Sequence, residues 1–262
     1  IASLRSLKYL HLGKFNRGFN MNDFKKYSIE FTLLFLAVTL GFFAENYREY
    51  RVERDLEKRY LTSLVEDLGQ DTVKINYSIW SKETKDQYFD TLNTILKTTP
   101  KPWPTRKLYY IARFLSIREP FYGTEGTLRQ LENSGGFRLI QNHSLISRIN
   151  EYSAAKEKIY KIQEMRDFYN IPYKEAVSAV FEPAALSVLF DSKKHQGKLY
   201  YMQEMDWDPP LLGNDKEVNS FFFWASNDIF VERNLAALLG QLKTEATALM
   251  HEIEIESNHL KQ

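Results

Sequence analysis

An all-α protein hung from one membrane-spanning helix is what three features of the sequence predict. Residues 27–44 carry a single charge, Glu30, and the run from Ile29 to Ala44 reads IEFTLLFLAVTLGFFA. From Glu45 to about Thr98 no proline occurs, and apolar residues such as Leu61, Leu64, Leu68 and Ile75 recur at helical spacing. From Glu217 to about His259 the same spacing returns in Phe222, Ile229, Leu238, Leu242, Leu249 and Ile253. The expected architecture is a transmembrane helix at 27–44 that continues into an elongated antiparallel bundle. Residues 45–262 then form one helical domain, with its longest helices first and last.

The anchor follows from length and polarity. Eighteen helical residues at ~1.5 Å each span roughly 27 Å, close to the ~30 Å hydrocarbon core of a bilayer. Tyr27, Tyr47 and Tyr50 suit the two interfacial belts. Glu30 lies within one turn of the start, where its carboxylate reaches the headgroups. A cleaved signal peptide needs small residues at its processing site, and Phe42-Phe43-Ala44 is bulky there. Ala37 and Gly41 form a small-xxx-small pair through which two anchors can approach closely.

Residues 1–26 form a tail. Met21 followed by NDFKKYSIEF reads as a natural start, which makes residues 1–20 an upstream extension; the alternative is a basic tail carrying Arg5, Lys8, Lys14 and Arg17. That longer tail favours a cytoplasmic N-terminus by the positive-inside rule. Without it, Lys25 and Lys26 face Arg48, Arg51, Arg54, Lys58 and Arg59 on the other side. Export of the C-terminal domain is the expectation.

After the anchor, the stretch from Arg48 to Arg59 is rich in i,i+4 charge pairs and reads as a solvated helix face. Pro100, Pro102 and Pro104 break the chain around Trp103. Thr105 is placed to cap a short helix with Leu108, Ile111, Ala112 and Leu115 on one side, ended by Glu119-Pro120-Phe121-Tyr122-Gly123. A second short helix carries Leu128 and Leu131, and Ser134-Gly135-Gly136 supplies a left-handed exit. Arg129 and Arg138 flank this turn and are the candidate contacts for an anionic ligand or a partner carboxylate. Asn142 starts an amphipathic helix to about Tyr169, a further helix spans Ile171 to Phe190 with a break at Pro183, and Asp191 to Asp215 is irregular.

The runs FLAVTLGFFAENYRE, YLTSLVEDLGQD and TLRQLENSGGFRLI together resemble a group of single-pass, N-terminally anchored helical proteins of Bacteroidetes-type bacteria. The resemblance covers roughly residues 21–152. It implies an inner-membrane anchor and a helical domain facing the periplasm, and it carries no catalytic or ligand residue to transfer.

Composition and motifs narrow the function. Lys+Arg 35 against Asp+Glu 34 leaves almost no net charge, so nucleic acid is not an expected partner. No Cys is present, which removes disulfide and thiolate chemistry. Glu256-Ser257-Asn258-His259 spells one Glu-x-x-His step, but no second step accompanies it, as a di-iron bundle requires. Asp206 and Asp208 lack the glycine and terminal glutamate of a calcium loop. No phosphate loop and no Ser–His–Asp spacing is readable. Tyr 16 and Phe 18 are many for a charged helical chain, which points to aromatic packing or a partner surface. The expected role is non-enzymatic and without a cofactor: a membrane-anchored accessory or scaffolding protein that self-associates or docks on a protein partner. The competing expectation is a sensory or ligand-binding domain that works through a partner.

Overall fold

The computed structural model describes residues 21–190, 202–203 and 205–259. The tail residues 1–20, residues 191–201 and 204 of the irregular stretch after Phe190, and residues 260–262 lie outside the described residues. Helices α1 (Met21–Thr98), α2 (Thr105–Leu115), α3 (Gly126–Asn133), α4 (His143–Val180), α5 (Pro183–Val188) and α6 (Asp215–His259) account for most of the chain, with a 3-10 turn at Gly136–Leu139. No strand forms among the described residues; one isolated backbone bridge joins Phe181 to Leu211. The chain is all-α, and it divides into two compact units, one ending at Glu53 and one beginning at Arg54.

The first unit holds the apolar segment. An 18-residue window there has a mean hydropathy of 1.7 and no buried residue, long and apolar enough to cross a membrane. Thr32 and Thr39 turn their hydroxyls onto the carbonyls of Ser28 and Phe35, one turn back, so neither leaves its hydroxyl unpaired.

In the second unit the chain makes four legs of alternating direction. Along the first, from Arg54 to Thr98, contacts to the second leg run in reverse order. Lys85 bonds to the Ile117 carbonyl, Lys82 to that of Glu119 at 3.2 Å, and Asp71 to the Thr124 N–H at 2.5 Å. Further along, Asp67 accepts from Thr127 N–H and Glu57 from Gln141 N–H. α4 then runs parallel to α1, with the Tyr152 hydroxyl on Asp71 at 2.8 Å. α6 is antiparallel to both: Arg148 meets Glu252 and Lys85 meets Glu232 at 2.9 Å, while Phe89 stacks on Phe222.

Two apolar cores result. One gathers Leu61, Leu68, Leu131, Ile149, Leu239 and Leu249; the other gathers Leu92, Ile111, Tyr173, Phe181 and Phe221. Both use the apolar stripes of α1, α4 and α6, and the short helices of the second leg close them.

Local signals in the sequence are met with two corrections. Asn142 caps α4, its side chain accepting the Leu145 N–H, and Gly135 takes φ 66, a left-handed conformation that glycine adopts without strain. Thr105, however, is the first residue of α2 and not its cap; Pro104 precedes it and no side chain caps the helix. The second correction concerns α4, which continues unbroken through Pro172 to Val180. Proline removes one backbone hydrogen bond, but Tyr173, Ala176, Val177 and Val180 stay in register with the buried face and hold the helix together. Pro183 does end the run, and stands at the first position of α5. Replacing Asn142 with alanine is expected to lower stability by about 1 kcal/mol, read as a shifted denaturation midpoint. It also removes the bond from Asn142 Nδ2 to Glu256.

Candidate functional site

Between the two apolar cores lies a polar layer. It exists because the second leg is not helical there. α2 stops at Leu115 and α3 starts at Gly126, and between them Pro120 can donate no N–H and disfavours helix at Glu119. A half-buried non-helical segment leaves backbone groups that no helix satisfies, and each such group left buried and unpaired costs about 1–3 kcal/mol. Side chains of α1 and α4 take those places.

The pairing is detailed. Gln163 both accepts the Phe121 N–H at 2.7 Å and donates to the Phe121 carbonyl at 3.0 Å, as a strand neighbour would. Tyr160 accepts the Gly123 N–H, and Lys156 donates to the Thr124 carbonyl. Gly123 sits so close that an added Cβ would lie 2.8 Å from Lys156 Cδ, 3.0 Å from Asp71 Oδ2 and 3.1 Å from the Tyr160 hydroxyl. Gly123→Ala is therefore expected to destabilise by roughly 1–3 kcal/mol, the range of an overpacked site. A Gly126→Ala control, where nothing lies within 4 Å, should leave the melting temperature nearly unchanged.

Next to this clasp is a buried charge network. Four cationic side chains, Lys82, Lys85, Arg118 and Arg166, face two carboxylates, Asp228 and Glu232. Arg118 grips Asp228 through two hydrogen bonds, at 2.7 and 3.1 Å. Glu232 sits within 3.7 Å of Lys82 and within 3.6 Å of both arginines, besides its bond to Lys85. Burial would raise the Glu232 carboxyl, but Lys85, Lys82 and Arg166 outweigh it and hold the group at about 2. Burial pushes Lys82 down to about 8, against the pull of Glu232 and with the repulsion of Arg166 and Lys85. Burial also raises Asp228, which Arg118 counters.

What this arrangement does chemically is hold charge and backbone in place. Its lysines and carboxylates are engaged with one another and with the strap 116–125. Among the described residues no cluster of three His, Asp or Glu side chains is arranged to hold a metal ion.

The candidate residues from the sequence lie elsewhere. Arg129 is exposed in the middle of α3, its guanidinium on Glu125 at 3.2 Å, and Arg138 is exposed in the 3-10 turn. Ala37 and Gly41 are exposed on the apolar segment, with nothing within 4 Å of a Cβ placed on Gly41. Asp208 accepts the Arg106 backbone N–H. Of the cluster Phe221 to Trp224, Phe221 is buried and Phe223 is exposed.

Sequence reasoning passed over the polar layer, although a signal was present. Ser78, Ser81, Lys82 and Lys85 occupy the buried register of α1, as Gln163, Arg166 and Asn170 do on α4 and Asp228 and Glu232 on α6. A groove of about 500 Å3 also opens between Tyr88, Pro104, Arg106, Lys107, Tyr110 and Met205.

Comparison with known proteins finds no matching family, no matching curated protein and no matching solved structure.

Proposed function

We propose that this is a single-pass membrane-anchored protein of non-enzymatic role, acting as an accessory or scaffolding subunit through protein–protein contacts. The observation that carries the reading is the placement of aromatic side chains on the outside of the helical unit. Phe168, Phe223 and Phe230 are exposed on α4 and α6, while the convergent polar side chains inside are spent on the chain's own backbone and on each other. Large apolar side chains left exposed on a folded helical surface mark a contact surface. The apolar segment before Glu53 supplies the anchor, with the helical unit on the periplasmic side of a bacterial inner membrane.

Purification from native membranes in mild detergent tests this. Recovery of the chain in a stoichiometric assembly that survives a salt wash supports the reading. A monomer with no partner, under conditions that preserve other membrane assemblies, overturns it.

One observation favours a second reading, a ligand-binding domain that signals through a partner. The groove at Tyr88 and Tyr110 carries Arg106 and Lys107, a pairing of aromatic faces and cations that suits an anionic ligand. A melting-temperature screen against small anions would support it, if a hit is abolished in an Arg106→Ala/Lys107→Ala variant.

A further inference from the structure

Two cations stand where α2 gains nothing from them. Arg106 and Lys107 occupy its first turn, which holds no acidic residue, so both oppose the helix dipole. Both are exposed, and neither forms an ion pair among the described residues. The Arg106 side chain reaches only the Met205 carbonyl, at 3.4 Å. Asp208 lies at this end as well, but its carboxylate accepts the Arg106 backbone N–H at 3.1 Å. The two side-chain charges therefore serve neither the helix nor a partner within the chain.

Beside them opens the groove of about 500 Å3, within the ~300–1,000 Å3 range of small-molecule sites. Its uncharged lining is Tyr88, Tyr110, Pro104 and Met205, with no branched aliphatic side chain. Tyrosine rings and a thioether sulfur both pack well on another ring, stacked or edge-on for the ring and at its rim for the sulfur. The tyrosines are fixed from behind: the ring centroids of Tyr88 and Phe114 are 4.5 Å apart, and Tyr110 stacks on Phe114 at 6.3 Å. This wall exists before any ligand arrives.

We propose that the groove binds an aromatic carboxylate, its ring against Tyr88 and Tyr110 and its carboxylate between Arg106 and Lys107. The inference rests on the ligand-binding reading above and names the ligand class. A guanidinium meets a carboxylate through two parallel hydrogen bonds, and the lysine adds a point charge. Such an anion offsets both cations and the positive end of α2 at once. An inorganic anion would leave the aromatic wall unused, and a neutral ring would leave the cations unpaired.

Isothermal titration of the full chain in mild detergent, read against a detergent blank, tests this. The probes are 2-naphthoate, its neutral amide, the saturated decahydro-2-naphthoate and inorganic phosphate. The amide is expected to bind about tenfold or more weaker than 2-naphthoate, and phosphate weaker still. The saturated acid should bind about threefold or more weaker. Arg106→Ala and Lys107→Ala should each weaken 2-naphthoate about tenfold without lowering the melting temperature of the unliganded chain. A variant that melts lower without ligand would show its cation serving the fold, which overturns the inference. Equal binding of 2-naphthoate to the wild type and both variants places it elsewhere and also overturns it. If the saturated acid or phosphate binds as tightly as 2-naphthoate and is lost in the variants, the aromatic class alone is overturned. Failure of all these probes to bind overturns the ligand-binding reading as well.

Discussion

Glu232→Ala is expected to lower the stability of the chain by about 3–5 kcal/mol, the range seen when one partner of a buried ion pair is removed. The substitution leaves Lys82, Lys85 and Arg166 buried around a lost carboxylate, and the Lys85 ammonium loses its 2.9 Å bond. Thermal or chemical denaturation followed by far-ultraviolet circular dichroism in mild detergent reads the loss. A change below about 1 kcal/mol would show that the network carries little of the fold. The pH dependence has a definite sign. Glu232 is held at about 2 against an ordinary 4.5, so its contribution is complete above pH 4.5 and is lost as pH falls from there toward 2. Lys82 is pushed from 10.5 to about 8, so between pH 8 and 10.5 the unfolded chain holds a proton that the folded chain has released. Stability therefore rises with pH across that window. Arg118, Arg166, Lys85 and Glu119 face the same space, and removing Glu232 should move the onset of the rise below pH 8, because its carboxylate keeps Lys82 charged.

Asp71→Ala is expected to have the next largest effect, about 3–4 kcal/mol from two broken buried hydrogen bonds at roughly 1–3 kcal/mol each plus a lost charge partner. Its carboxylate accepts the Thr124 N–H and the Tyr152 hydroxyl and lies 4.0 Å from Lys156. Burial, then the Asp71 charge, pushes the Tyr152 hydroxyl far above its ordinary range, so it stays a donor at any working pH. The variant should lose hydrogen-exchange protection first at Thr124, where the strap lies against α1, while Thr127, held by Asp67, is affected less. Uniform loss across all helices, with the strap no more affected than the rest, would contradict the clasp described above.

The fate of individual residues shows what the chain's local chemistry encodes. Asn142 and Gly135 act as cap and left-handed turn because their side chains, or lack of one, decide the nearby backbone. The division expected between Tyr169 and Ile171 is absent, since the missing N–H of Pro172 is a local penalty while the packing of Tyr173 and Val177 is contributed by distant helices. The polar layer misleads in the opposite direction. Lys82, Lys85, Arg166 and Glu232 are residue types that ordinarily face water, and only the non-helical strap beside them turns their burial into an advantage.

By itself the sequence determined the all-α class, the apolar stretch long enough for a membrane and the positions of the first and last long helices, because period and polarity act within a few turns of chain. The tertiary structure decided that charged side chains would fill the layer beside the break between α2 and α3, and that Phe168, Phe223 and Phe230 would be left facing outward. Those outcomes depend on which helix faces meet, and that is set by the summed packing of residues more than a hundred positions apart, such as Lys85 and Glu232.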